Sequence, residues 1–203
     1  MFPDYFRDDV FRLETQRLWL RWPTAADAPA IERLAGEREV SEFTARVPHP
    51  YPKGGGEAFA YGVRKANADG EGLTLALAWK QRPGQFIGVV GLEGAGETVE
   101  IGYWLGQPYW GSGLMSEAVE ALLDMVWLAT DIDRIEARVA LLNGRSRRVL
   151  ERAGFAACGE RLIEAPARGG ALAAMGFELP RPRARFGAAI APRAALSACC
   201  AGL

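Results

Sequence analysis

The sequence predicts an α+β domain built on a mostly antiparallel sheet. Three observations predict it. Short apolar runs at 73–79 (LTLALAW), 86–92 (FIGVVGL) and 99–105 (VEIGYWL) follow one another across the turns Gln81-Arg82-Pro83-Gly84 and Gly94-Ala95-Gly96, the pattern of an antiparallel meander. An amphipathic helical stretch enters directly from the last of these runs through a glycine-rich turn. The 203 residues are enough for one domain with a full core.

The elements follow in order. A strand over 18–22 (LWLRW) alternates Leu18, Leu20 and Trp22 with Trp19 and Arg21. After Pro23, Thr24 followed three residues later by Asp27 is a helix-capping pattern, and Ile31, Leu34 and Ala35 give that helix its apolar face. Residues 44–56 hold Pro48, Pro50, Pro52 and Gly54-Gly55-Gly56 and read as a loop, with a second helix from about 57 to 66. Beyond the meander a long helix runs to about Ala129. Its stripe is Ala118, Leu122, Met125 and Ala129, backed by Val119, Leu123 and Val126. A strand over 134–140 and a helix from about 143 to 153, stopped by Gly154, come next. Two further strands lie near 155–163 and 172–179. From Pro180 onward the chain is rich in Arg, Ala and Pro without periodicity. This divides it into a domain over 1–180 and a poorly ordered tail over 181–203, a short packed helix being the alternative for the tail.

Composition removes several classes. Apolar residues make up 49% and charged residues 24%, with a formal net charge of −1 and no basic stripe, so no nucleic-acid partner is expected. No apolar run reaches membrane-spanning length, and the N-terminus carries acids where a secretory leader needs bases. Three cysteines (Cys158, Cys199, Cys200) and one histidine (His49) give neither a disulfide framework nor metal-ligand spacing. A cytoplasmic protein without a metal, monomeric or homodimeric, is the expectation.

The chemistry concentrates in 99–129. On the strand, Val99, Ile101, Tyr103 and Leu105 point one way, and Glu100, Gly102 and Trp104 the other. In the turn that follows, Gly111 and Gly113 let backbone approach an anion. The first N–H groups of a helix have no intrahelical partner, and its dipole favours negative charge. A tight turn with no ligand would use the same glycines. Other phosphate motifs fit worse. No G-x-x-x-x-G-K-[ST] is present, Ser116 stands where a dinucleotide fingerprint wants its third glycine, and a meander replaces the βαβ unit.

Three motifs carry a resemblance: Glu100-Ile-Gly-Tyr-Trp-Leu105, Tyr109-Trp-Gly-Ser-Gly-Leu-Met-Ser-Glu-Ala118, and Asn143-Gly-Arg-Ser-Arg-Arg-Val-Leu-Glu-Arg-Ala-Gly-Phe155. The opening Leu13-Glu-Thr-Gln-Arg-Leu18 agrees with them. Over about 11–180 the chain resembles the GNAT superfamily of N-acetyltransferases, and within it the RimJ/RimL-like branch that acetylates ribosomal-protein N-termini. The resemblance implies a mixed, mostly antiparallel sheet of six or seven strands with helices on both faces. Its fourth and fifth strands splay to admit the pantetheine arm of acetyl-CoA. It implies that Gly111, Ser112, Gly113, Leu114 and Met115 offer N–H groups to the coenzyme's pyrophosphate. Backbone of Tyr103, Trp104 and Leu105 would bond the pantetheine amides, Trp110 would border the groove, and Asn143 and Ser146 would face the coenzyme arm. The chain departs from the pattern at Pro108, where many members carry Gln or Arg, and at Leu150, where other branches carry a tyrosine that protonates the leaving thiolate. Ser146 matches the serine proposed for that task in the RimL-like branch.

The reaction is attack of a neutral amine on a thioester. An α-amino group, with a pKa of about 7.7–8.0, is partly neutral at pH 7, whereas a lysine near 10.4 is almost wholly charged. Glu100 is the candidate general base, acting through a water, with Gly102 leaving room and Trp104 shielding it. A solvated glutamate on an open sheet face is the alternative. A backbone N–H near Leu105 would meet the oxyanion, a contribution of about 3 kcal/mol. Ser146 would protonate or hydrogen-bond the thiolate. It and Asn143 would equally serve as helix-start caps. Cys158 has no activating base, and His49 among prolines reads as a bystander. Of the six tryptophans most should be core, with Trp104 and Trp110 near the groove. The acceptor is a protein or peptide N-terminus, or a small amine such as an antibiotic, amino acid or polyamine. A silent acyl-CoA-binding module is the reading from another class.

Overall fold

Eight strands and a two-residue ninth form one sheet in the computed structural model, which describes residues 2–94, 96–182 and 195–196. In chain order they are β1 (Arg12–Glu14), β2 (Leu18–Arg21), β3 (Gly72–Trp79), β4 (Arg82–Glu93), β5 (Thr98–Leu105), β6 (Arg134–Ala140), β7 (Ala156–Ala165), β8 (Gly170–Pro180) and β9 (Ala195–Leu196). The helices are α1 (Ala28–Ala35), α2 (Arg38–Ser41), α3 (Gly55–Asp69), α4 (Leu114–Ala129) and α5 (Gly144–Arg152). The spatial order is β7-β8-β6-β5-β4-β3-β2-β1-β9. Neighbours run antiparallel except β5 and β6, which are parallel because α4 crosses over between them.

The larger core lies on the face bearing α4 and α5. Leu18 and Leu20 of β2, Ile101 of β5, Ile135 and Val139 of β6 and Phe177 of β8 pack there against Leu114, Leu122 and Val126 of α4 and Leu150 of α5. The other face is covered by α1 and α3 over β3–β5, where Ile31, Leu34 and Ala60 meet Ala76, Phe86 and Val89. Asp27 fixes α1 to the sheet. Its carboxylate is 2% exposed and takes a forked ion pair from Arg21 at 2.7 and 2.8 Å, plus the Thr24 N–H at 2.7 Å. Burial pushes this carboxyl up, but the Arg21 fork and the Thr24 bonds outweigh it and hold the pKa below its ordinary value.

The architecture is the expected one, with two strands, β1 and the two-residue β9, beyond the seven that the residues predicted. Arg12–Glu14 is too short to announce itself, and it becomes a strand by pairing with β2. Gly55 and Gly56, read as loop, form the first turn of α3. A Cβ on Gly56 would lie 2.3 Å from the Ala28 carbonyl oxygen, so the glycine is what lets α3 cross α1. Gly56→Ala is expected to cost about 2 kcal/mol in urea unfolding by forcing the helices apart. Gly62→Ala, on an exposed turn of the same helix with nothing within 4 Å, should stabilise by about 0.5–1 kcal/mol. Similar effects at both sites would remove the close-crossing explanation.

The tryptophans correct a second expectation. Only Trp22 is fully buried, and the other five are half-buried. Four carry a cation over the ring: Arg12 on Trp19, Arg64 on Trp22, Arg145 on Trp110 and Arg181 on Trp127, at 4.8–5.4 Å. These rings close the core's rim under charged side chains. The expected tail lies outside the described residues except at 181–182 and 195–196. Arg181 binds the α4–β6 connection, its Nε and Nη1 donating to Ile132 and Trp127 carbonyls at 2.8 and 2.9 Å. Across the molecule, Arg168 at the tip of the β7–β8 hairpin donates to the carbonyls of Ser41, Thr44 and Val47, which ties that tip to the α2–α3 loop. Among the described residues no helix is long and apolar enough to cross a membrane.

Candidate functional site

The gap expected between the fourth and fifth strands, counting from Leu18, lies between β5 and β6. They pair only at Thr98–Arg134, Val99–Ile135 and Glu100–Glu136, and part beyond that point. Gly106 N–H donates to Ile87 C=O at 2.9 Å, which makes Leu105 and Gly88 a non-hydrogen-bonded pair. The peptide groups of Leu105, and by alternation those of Tyr103, therefore face away from β4 and towards the gap. Leu105 C=O is taken by Trp110 Nε1 at 2.6 Å, and its N–H remains directed into the gap.

The turn after β5 is built so that its carbonyls point inward. Ser112 Oγ donates to Tyr109 C=O at 2.6 Å, Arg17 Nη1 to Ser112 C=O at 2.9 Å, and Glu117 N–H to Gly113 C=O at 3.1 Å. Among the described residues, the N–H groups of Gly111, Ser112, Gly113, Leu114 and Met115 have no protein acceptor. Gly111 and Gly113 have φ of 75° and 76°, which favours glycine. A Cβ on Gly111 would have nothing within 4 Å, so this residue faces open space. A row of outward amides at the N-terminus of a 16-residue helix suits an anion with several oxygens.

Glu117, in the first turn of α4, accepts from Thr15 Oγ1 at 2.5 Å, Arg17 N–H at 2.8 Å and Arg17 Nε at 2.6 Å. Burial pushes its carboxyl up, but these hydrogen bonds and the Arg17 charge prevail and hold it below the usual range. Pro108 sits in a short 3₁₀ turn over Gln107–Tyr109. Trp110 borders the turn with Arg145 stacked 4.8 Å above its ring. Trp104 is on the other face of β5, against Phe86.

On the far side of the gap, Asn143 caps α5 by accepting Ser146 N–H at 3.0 Å. Ser146 Oγ lies 2.9 Å from the Tyr103 hydroxyl, which also reaches the Ser146 carbonyl at 3.1 Å. Burial pushes the Tyr103 hydroxyl up to about 12, the Ser146 hydrogen bond acting in the opposite sense, so this phenol keeps its proton near neutral pH. Sequence reasoning offers Tyr103 only a backbone role, whereas its side chain joins β5 to α5. Leu150 is fully buried and takes no part.

Glu100 does not sit as expected. Its carboxylate is held by the Arg138 guanidinium of β6 in a forked pair, with Nε at 2.9 Å from Oε1. Trp104 lies two pleats along the strand, packed on Phe86, and does not shield it. Gly102 does leave open space on that face. Glu93, Glu100, Glu136 and Glu178 stand in register across four strands, offset by Arg46, Arg138 and Arg134. His49 Nδ1 contacts Gly36 C=O at 2.9 Å, and Cys158 is exposed on β7. Arg138 was invisible to sequence reading, since pairing across the parallel strands depends on a register that no local pattern reveals.

Comparison with known proteins adds three findings. The model of the acetyltransferase (GNAT) domain matches residues 17–156. An uncharacterised N-acetyltransferase, p20, of Bacillus licheniformis is 27% identical over 146 residues, 70% of this chain and 81% of its own length. Two solved structures share the fold. One is RimL, a ribosomal α-N-protein acetyltransferase in complex with coenzyme A (TM-score 0.70, 18% identity, covering 82% of this chain and 95% of that one). The other is spermidine N-acetyltransferase from Vibrio cholerae in complex with CoA and spermine (TM-score 0.67, 18% identity, 81% and 95%).

Proposed function

The chain belongs to the GNAT acetyltransferase domain family, whose members transfer acetyl groups to amines, and from that premise we propose that it moves acetyl from acetyl-CoA to a protein or peptide α-amine. The observation that carries the coenzyme half is the run of unpartnered N–H groups from Gly111 to Met115 beside a parted β5–β6 pair. Acetyl-CoA supplies the activated thioester. The outward amides of 111–115 hold its diphosphate, and the gap-facing peptide groups of Tyr103 and Leu105 line the course of its arm, whereas those of Trp104, expected to join them, are turned to β4. Trp110 and Asn143 border that course. Residues 1–180 form the catalytic domain in this reading, in a cytoplasmic setting.

The Leu105 N–H, directed into the gap, stabilises negative charge developing on the thioester oxygen. Ser146 Oγ donates a hydrogen bond to the departing sulfur. Its position comes from Tyr103, whose hydroxyl donates to the Ser146 carbonyl and lies 2.9 Å from Oγ, a contact in which either oxygen can donate. Glu100 is the remaining candidate base. Both of its carboxylate oxygens are engaged by the Arg138 fork, so the site offers little help to an acceptor that arrives as an ammonium. An α-amine, already partly neutral at pH 7, needs least help. The row of glutamates on the same face is the one observation favouring a cationic small amine, and its arginine partners weaken it.

Acetyl-CoA should raise the melting temperature clearly, and ATP and NADH should not. Equal shifts from all three would count against the coenzyme assignment. A thiol-release assay with peptides of varied N-terminus alongside spermidine and amino acids then separates the acceptors. Turnover confined to spermidine would overturn the α-amine half.

A further inference from the structure

The opening motif Leu13–Leu18 matches the family pattern, yet none of its residues has a role in the reaction as described. Its side chains converge on the phosphate turn, about a hundred positions along the chain. Arg17 reaches across from the β1–β2 turn, with Nη1 on the Ser112 carbonyl at 2.9 Å and Nε on Glu117 at 2.6 Å. Its Nη2 lies 3.7 Å from where a Gly113 Cβ would be. Thr15 and the Arg17 N–H complete the hold on Glu117, so the guanidinium is anchored at one edge and grips the turn with the other.

A peptide unit is planar and trans, so its C=O and N–H point in opposite directions. Fixing the Ser112 carbonyl against Arg17 therefore aims the Gly113 N–H away from the protein. Gly111 and Gly113 both have open rotational freedom, and without that grip the 112–113 peptide could turn its carbonyl outward, towards the place meant for an anion. The position where many family members carry a cationic or amide side chain is Pro108 here, which has no such group.

We propose that Arg17 is a positioning residue for the diphosphate of the coenzyme: by holding the Ser112 carbonyl inward it presents the Gly113 amide outward, with Thr15 and Glu117 as its anchor. This rests on the acetyl-CoA reading above. It makes a selective demand, because pantetheine follows the β5–β6 gap and never meets the turn.

The test compares coenzyme A with pantetheine, the same arm without the nucleotide diphosphate, by calorimetry on wild type, Arg17→Lys and Arg17→Met. Arg17→Met should weaken coenzyme A binding about tenfold or more, equivalent to about 1.4 kcal/mol, and leave pantetheine within twofold. Arg17→Lys, able to reach one of the two partners but not both, should fall between. Should Arg17→Met fold poorly, Thr15→Val, which loosens the anchor through Glu117, serves in its place with a smaller loss of the same selectivity. Equal weakening of both ligands would assign Arg17 to the fold alone, and unchanged coenzyme A affinity would overturn the proposal. Wild-type protein that binds neither ligand would instead sink the acetyl-CoA reading on which it stands.

Discussion

Gly111→Val is expected to weaken acetyl-CoA binding by up to about a hundredfold while barely moving the melting temperature of the free protein. The residue has φ of 75°, and a β-branched side chain there carries about 1–3 kcal/mol of strain. In the free protein the turn escapes by rotating, since nothing packs where the side chain would project. That rotation moves the amides of Gly111 and Ser112 out of their shared direction. Binding must then restore the strained geometry, and its affinity falls by that amount, tenfold for each 1.4 kcal/mol or so. Gly111→Ala should lie between. Isothermal titration with acetyl-CoA and a melting curve without it are the two measurements. A valine variant that binds as tightly as wild type would show that the amides are not the anion site.

The second large effect lies at the leaving group. Ser146→Ala should lower kcat by about a hundredfold, the lower end for loss of a positioned proton donor, with acetyl-CoA affinity changed only a few-fold. Tyr103→Phe leaves the serine in place but frees its hydroxyl to rotate, so a loss of about tenfold is expected. The double variant should be no slower than Ser146→Ala, because the tyrosine acts only through the serine. The Tyr103 hydroxyl is engaged by Ser146, at 2.9 Å from Oγ and 3.1 Å from the carbonyl, so it acts on the sulfur through the serine. Steady-state rates for the three variants, with coenzyme affinities measured separately, check this. An unimpaired Ser146→Ala enzyme removes the serine from the chemistry, and a double variant slower than either single gives Tyr103 a role of its own.

Much of this was legible in the chain. The meander, the long helix after β5 and the capped helix at Asn143 follow from local patterns, because alternation, glycine at positive φ and cap chemistry act within a few residues. The glycine turn that opens α4 was legible for the same reason. What escaped the sequence is long-range. Arg138 meets Glu100 only through the parallel register of β5 and β6, and Arg17 meets Ser112 only after the β1–β2 turn is laid beside the start of α4. The role of Gly56 was hidden because its reason lies on another helix. Tryptophan misled for a different cause: a large ring with a polar edge fits a charged rim as well as a core, and composition does not distinguish the two.

Arg168 grips three carbonyls of one loop with a single guanidinium, and this joins segments more than a hundred residues apart into one rigid unit. That loop leads from α2 into α3, which with α1 covers the sheet face opposite the larger core. The path of that loop is thus set by a side chain arriving from the hairpin as much as by the loop's own residues. A change at the hairpin tip would therefore be felt across the fold, in the segment that runs from α2 to α3.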